Sequence, residues 1–222
     1  MSSSNDDIQE IFKGRTILLN IYEKYGYDVS IYKDFTQEQI YQMKQHSQLD
    51  MVLTNHTTGM NIHVKHYLDK QVKKADLAGT GGLIEILKNS TTNFDEFVKY
   101  NRICIITVSE PNPTLCKDLC AIWENRYSAG LLISVIGIKK IQYNITEHIL
   151  VPKYRIMTES EIDTLSSKLN LTRSQFKTIS RFDPPVALIC LAPDEIVDGK
   201  YTSQTAGVEE NYRRCVNIPL PH

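Results

Sequence analysis

The sequence predicts two unequal halves: an α/β part followed by a smaller α+β part. Three observations carry that reading. Before residue 143, short apolar runs of strand length alternate with helix-patterned stretches. A polar stretch, Asn144 to His148, then interrupts the pattern. Beyond it come two helix caps and several β-patterned pieces separated by turn residues. The boundaries that follow are residues 1–143 and 144–222.

Bulk properties set the class. A chain of 222 residues forms one large or two small domains and can bury a core either way. Hydrophobic content of 41% and charged content of 23% are ordinary for a globular protein. A net charge of -1 excludes a strongly basic nucleic-acid binder, so any DNA contact has to be a local patch. Cys104, Cys116, Cys120, Cys190 and Cys215 form an odd set without framework spacing, as expected of a reduced intracellular protein. Residues 1–7 are polar and acidic, unlike a signal peptide. The longest apolar run, residues 129–138, falls short of the roughly 20 residues that cross a bilayer, so no membrane partner is expected.

In chain order, Ser2 to Asn5 reads as a frayed start. Ile8, Ile11, Phe12, Leu18, Leu19, Tyr22 and Tyr25 then keep helical spacing, with Gly26 as the C-terminal stop. Thr36 with Gln39 is a capping box for a short helix to about His46. Residues 50–54 are an apolar strand, and His56-Thr57-Thr58-Gly59 supplies a turn. Met60, Ile62 and Val64 alternate with Asn61, His63 and Lys65, predicting a hairpin with one wet face. Lys65, His66, Lys70, Lys73 and Lys74 follow, read as a solvated helix face whose charge Asp69 and Asp76 dilute. Gly79-Thr80-Gly81-Gly82 has neither the lysine nor the length of a phosphate-binding loop and reads as a connection before a helix at 83–88.

Residues 102–108 are a buried strand, broken by Pro111-Asn112-Pro113. Asn112 is placed to cap and Pro113 to open a helix reaching about Arg126. Residues 131–136 are another buried strand. Past the polar hinge, Thr158 with Glu161 and Thr172 with Gln175 are capping boxes for a longer and a shorter helix. Asp183-Pro184-Pro185 predicts an extended turn, residues 186–191 and Ile196-Val197 strands, and residues 205–216 a turn and a last strand.

Few constellations carry chemistry. A strand that ends in a loop and opens a helix points free N–H groups outward, which suits a phosphate. Asn112, Thr114 and Lys117 stand at such a junction, and an ordinary capped surface helix is the competing reading. Cys116 and Cys120 lie one helical turn apart, yet zinc needs two more ligands, so buried free thiols are the simpler account. His148 has no nucleophile or acid placed beside it, which favours a structural hydrogen bond over catalysis. No metal, cofactor or catalytic residue is assigned.

The hinge reads Asn-Ile-Thr-Glu-His-Ile-Leu-Val-Pro from Asn144 to Pro152. It resembles the signature joining the two domains of the fifth common subunit of eukaryotic nuclear RNA polymerases, whose C-terminal part is shared with its archaeal counterpart. Asp183 and Pro184 match a second motif of that family. Ser203, Thr205, Ala206, Gly207, Tyr212 and Arg213 match a third, without insertion or deletion between. Departures occur as well: Pro185 displaces a Pro-Val pair, Asp194 replaces a turn glycine, Gln204 a glutamate, and Tyr201-Thr202 an Arg-Pro pair. The chain thus resembles a divergent member, and a virus-encoded polymerase is one source that fits. In the first half the likeness is fainter, at Gly26-Tyr27, Asp50 and residues 109–119.

The resemblance implies a non-catalytic subunit, one copy per complex, in a DNA-directed RNA polymerase. Residues 144–222 would be the assembly domain that docks on the largest subunit, through His148, Pro152, Asp183, Pro184, Ser203, Thr205, Gly207, Tyr212 and Arg213. Residues 1–143 would form part of the jaw beside downstream duplex DNA, with weak, non-specific phosphate contact at Asn112, Thr114 and Lys117. The location would be the nucleus, or the virion and infected-cell cytoplasm for a virus. The resemblance also implies a restriction-endonuclease-like core in the first half. Such a nuclease needs an aspartate and, on the next strand, an acid two residues before a lysine. Asp50 and Lys65 are present, but His63 stands where the second acid belongs, and a neutral imidazole suits a hard cation poorly. The core is therefore expected without its active site. Two rivals remain, a nuclease-like DNA-processing protein and a free-standing transcription adaptor. Mg²⁺-dependent cleavage would favour the first and a monomer outside any large complex the second.

Overall fold

The structure, a computed structural model, describes residues 2–125, 130–203 and 207–219. Its backbone groups into two units: Met1–Tyr143 with Leu188–Cys190, and Asn144–Ala187 with Leu191–His222.

The first unit opens with helix α1 (Ser2–Lys24), which buries Ile11, Leu18, Leu19, Ile21 and Tyr22. Gly26 ends it at φ +82, a left-handed position that glycine takes without a Cβ penalty. The helix takes in Ser2 to Asn5 rather than fraying there. A 3-10 turn (Ser30–Tyr32) leads to α2 (Gln37–Gln45), whose capping box forms as the sequence predicts. Gln39 N–H donates to Thr36 Oγ1 at 3.3 Å, and Thr36 N–H donates to Gln39 Oε1 at 2.8 Å.

Strands β1 (Met51–Thr54) and β2 (Asn61–Tyr67) form the hairpin, with Met51 opposite Val64. Asn55 Oδ1 accepts from the N–H groups of Thr57 and Thr58, closing the turn. Then come α3 (Lys74–Ala78), α4 (Leu83–Ser90), α5 (Phe94–Tyr100), β3 (Asn101–Thr107), α6 (Pro113–Glu124) and β4 (Leu132–Gly137). The sheet order is β1-β2-β3-β4, with β1 antiparallel to β2 and the other neighbours parallel. All seven residues of β3 are buried, as the apolar run Ile103 to Ile106 leads one to expect of a parallel strand covered on both faces. Its one cation, Arg102, donates from Nη1 to the Cys190 carbonyl at 2.7 Å, so the buried charge meets an acceptor.

Three expectations for this unit change. The outer face of β2 is half-buried rather than wet: His63 Nε2 lies 2.7 Å from Asn101 Oδ1, and its ring packs on Phe97 at 5.5 Å between centroids. Phe97 belongs to α5, a helix that the sequence pattern does not announce. The run from Lys65 to Lys74 is not one helix face; it covers the end of β2, a loop and the first residue of α3. The expected end of α6 near Arg126 lies outside the described residues.

The second unit starts with a 3-10 turn (Ile145–Glu147), then β5 (Lys153–Ile156), α7 (Glu159–Leu169), a 3-10 turn (Arg173–Gln175) and β6 (Lys177–Ser180). Helix α8 (Pro184–Leu188), β7 (Ile196–Ser203) and β8 (Gly207–Val216) follow. The sheet order is β5-β7-β8-β6; β6 and β8 are parallel and the other pairs antiparallel. Both capping boxes form, Thr158 with Glu161 and Thr172 with Gln175. Ile162 of α7 packs with Met157, Phe176 and Ile196, and Leu165 and Tyr212 cover the cluster. Each such side chain contributes roughly 1.5–3 kcal/mol through burial.

Asp183-Pro184-Pro185 is not an extended turn. Pro184 opens α8, where its missing N–H costs nothing, and the Asp183 carbonyl accepts from Val186 and Ala187 at 2.9 and 2.8 Å. The expected strand at 186–191 is correspondingly the end of that helix and a turn, with Cys190 at φ 51. Strands β5 and β6 are additions to the elements expected from the sequence. The Thr205-Ala206 turn lies outside the described residues, and Gly207, at φ +72, opens β8 opposite Ser203.

Candidate functional site

In the second unit, local hydrogen bonds shape the hinge. Asn144 Oδ1 accepts from Thr146 N–H at 3.1 Å and from Thr146 Oγ1 at 2.6 Å. His148 N–H reaches the Ile145 carbonyl, and Val151 N–H the His148 carbonyl. His148 Nδ1 accepts from Leu150 N–H at 3.2 Å, the structural role expected of this histidine. These successive turns leave Ile149 83% and Leu150 81% exposed, two adjacent aliphatic side chains without cover. Pro152 is half-buried beside Gly199, where an added Cβ would come within 3.2 Å of Pro152 Cβ and 3.0 Å of Tyr154 Cε1. Glycine therefore lets the hinge lie against β7.

Tyr212 and Arg213 are neighbours on β8 and so face opposite sides of the sheet. Tyr212 covers the α7 side, and its hydroxyl donates to Glu210 Oε2 at 2.7 Å. That bond to Glu210, with some burial, pushes the phenol up to about 12. A line of alternating charge continues along the sheet: Glu210 to Lys200 at 3.1 Å, Lys200 to Asp198 at 3.7 Å, Asp198 to Arg155 at 3.5 Å, and Arg155 to Glu161 at 2.8 Å. Arg213 acts electrostatically with Asp183 and Tyr154. Burial raises the Asp183 carboxyl and Arg213 opposes that rise. Asp183 and Arg213 thus share one neighbourhood, which also contains Tyr154, a residue that no sequence motif singled out. Pro184 is a helix opener, Gly207 a strand start and Ser203 its cross-strand partner; Thr205 lies outside the described residues.

In the first unit, Asn112 Oδ1 accepts from Leu115 N–H at 2.7 Å, and Pro113 stands at the first helical turn of α6. Cys116 N–H bonds the Asn112 carbonyl, and Pro113 has no N–H. Of the first-turn donors, that leaves the Thr114 amide, with the exposed Thr114 hydroxyl and Lys117 on the same face. The junction therefore offers a small anion contact, weaker than an uncapped helix start would give.

The pair expected from a nuclease also comes together. Lys65 Nζ lies 2.9 Å from Asp50 Oδ2, and His66 N–H donates to Asp50 Oδ1 at 2.9 Å. Burial alone would raise the Asp50 carboxyl. The His66 backbone N–H and Lys65, with the His66 ring close by at 3.9 Å, outweigh it and hold the carboxyl at about 2. Burial lowers the pKa values of both His63 and His66, which favours neutral imidazoles. Asp50 is therefore spent on protein donors, and no second carboxylate faces it from position 63. Among the described residues no group of three His, Cys, Asp or Glu side chains is placed to hold a metal ion. No described helix is long and apolar enough to cross a membrane.

Comparison with known proteins names the family. Residues 143–215 match the model of the C-terminal domain of RNA polymerase Rpb5. The DNA-directed RNA polymerase subunit Rpo5 of Pyrococcus abyssi is 39% identical over 77 residues, 35% of this chain and 94% of the relative. The corresponding subunit of Thermococcus kodakarensis is 36% identical over 77 residues, again 35% and 94%. That of Methanosarcina barkeri is 33% identical over 75 residues, 34% of this chain and 96% of the relative. The chain belongs to the Rpb5/Rpo5 family of RNA polymerase subunits.

Proposed function

We infer that this protein is a non-catalytic subunit of a multisubunit DNA-directed RNA polymerase. The observation that carries the reading is a 39% identical match spanning 94% of a whole archaeal polymerase subunit. Residues 144–222 serve as the assembly domain, docking on the largest subunit at one copy per complex. The exposed pair Ile149 and Leu150 supports this, because desolvated aliphatic side chains are what a stable interface core uses. The family motifs assign His148, Pro152, Asp183, Pro184, Ser203, Thr205, Gly207, Tyr212 and Arg213 to the docking surface as well.

Residues 1–143 act as the jaw toward downstream duplex DNA, touching phosphates weakly and without sequence preference at Thr114 and Lys117, with Asn112 holding the turn. The mixed sheet and the Asp50–Lys65 pair support a restriction-endonuclease-like core, its chemistry lost at His63. The site of action is intracellular: the nucleus for a cellular source, the virion or infected-cell cytoplasm for a viral one.

Incorporation of variants tests the reading. Ile149→Asp with Leu150→Asp, expressed alongside wild-type chain, should keep the melting temperature and fall out of the purified polymerase. Equal incorporation of both forms would remove the hinge from the interface.

A further inference from the structure

The first unit is not one continuous stretch of chain. It takes in Leu188, Ile189 and Cys190, while Ala187 on one side and Leu191 on the other belong to the second unit. The chain therefore passes between the units after residues 143, 187 and 190. A domain merely appended to its neighbour needs a single passage.

The three residues are held firmly. Leu188 is 1% exposed, Ile189 3% and Cys190 0%. Arg102 of β3 donates from Nη1 to the Cys190 carbonyl at 2.7 Å, inside the protein. The Cys190 thiol has Cys104 of β3, Ser134 of β4 and Tyr22 of α1 as polar neighbours. One short segment thus reaches a helix and two strands of the first unit.

The backbone is strained to put that thiol there. Leu191 N–H bonds the Val186 carbonyl at 3.3 Å, closing the end of α8 around a left-handed residue, Cys190 at φ 51. Glycine is the usual occupant of such a cap, because it has no Cβ to clash. A side chain persists in that conformation only where its surroundings over-determine it. Here those surroundings are the core of the first unit.

We propose that Leu188–Cys190 is a strap that couples the two units, so that neither unfolds without the other. With the second unit folded, the strap is held at both ends, at Ala187 and Leu191. With that unit unfolded, the strap hangs on a long loose loop, and bringing it back to the first unit costs closure entropy. Losing the strap also leaves a cavity in the first unit, lined by side chains that cannot fully collapse into it. The linkage is reciprocal: unfolding the first unit strands two aliphatic side chains in water and removes what holds Cys190 left-handed.

Native-state thiol labelling of the full chain tests the strap. Cys104 in the first unit, Cys190 in the strap and Cys215 in the second unit are all 0% exposed, so each reacts only when its surroundings open. The reagent is N-ethylmaleimide, in urea below the unfolding transition, with the sites read by peptide mass spectrometry. Corrected for reactivity in the unfolded chain, the three rates should agree within about threefold, as expected of one cooperative opening. Leu188→Ala with Ile189→Ala trims the strap, and Cys104 and Cys190 should then react at least about tenfold faster than Cys215. If that variant does not fold, the wild-type rates decide alone. A wider spread than threefold between Cys104 and Cys215 in the wild type would overturn the proposal, and so would matched rates in the trimmed variant.

Discussion

Lys65 Nζ sits 2.9 Å from Asp50 Oδ2, with the His66 backbone N–H on the other carboxylate oxygen. Register explains the pairing. Met51 stands opposite Val64, so the residue before Met51 meets the residue after Val64. A metal-dependent nuclease would leave such an aspartate facing a cation and a second acid; here protein donors satisfy both oxygens.

Acid sensitivity should follow from this pair. The folded pKa of Asp50 is depressed from 3.8 to about 2, so its contribution is present above about pH 4 and is lost as the pH falls through about 2. With the side chain 44% exposed, solvent screening holds the worth to about 1 kcal/mol. Urea midpoints measured from pH 5 to pH 1.5 should show this loss in the wild type and a smaller one in Asp50→Asn. Identical acid profiles would contradict the assignment.

Asp194 occupies φ 71, at the position where the family resemblance places a turn glycine, and offsets part of that strain by accepting from Arg214 Nη1 at 3.0 Å. Asp194→Ala keeps the strained backbone and loses the ion pair, whereas Asp194→Gly loses only the pair. The glycine variant should be the more stable of the two by about 1 kcal/mol in urea unfolding. Equal midpoints would show that the left-handed backbone carries no penalty.

Thr158 accepts from Glu161 N–H at 3.4 Å, and Glu161 Oε2 accepts the Thr158 N–H in return at 2.8 Å. Thr158→Ala should cost about 1 kcal/mol, read as a lower melting temperature. Thr158→Ser, which restores the oxygen, should recover most of it.

Lys117 is the test of the jaw contact. In the assembled polymerase, Lys117→Gln should weaken binding to duplex DNA evenly across sequences and reduce the salt slope by about 1. An unchanged slope in titrations with a fluorescent duplex would remove this lysine from the DNA path.

Legibility in the sequence follows the range of the forces involved. Caps at Thr36, Asn112, Thr158 and Thr172 are contacts within three residues and can be read directly. The buried run of β3 is equally plain. The apolar stretch after Pro184-Pro185 misleads because a short run suits either a strand or a helix, and only Pro184 at the helix start decides. Strand β6 is polar outside Ile179 and exists through its pairing with β8, thirty-six positions away at Lys177↔Arg213, which no local pattern announces. Asp50 and Lys65 are legible as a pair, since hairpin register sets them side by side. The exposure of Ile149 and Leu150 is not, because it depends on the turns that His148 and Asn144 hold in place.

The most direct test of the central claim is to purify the tagged protein from its native source, size the product and identify its stoichiometric partners. A polymerase subunit will be recovered in a complex on the order of several hundred kilodaltons, held by large obligate interfaces, with both largest polymerase subunits and one copy of this chain. Recovery as a free monomer, with no polymerase partner bound, would contradict it.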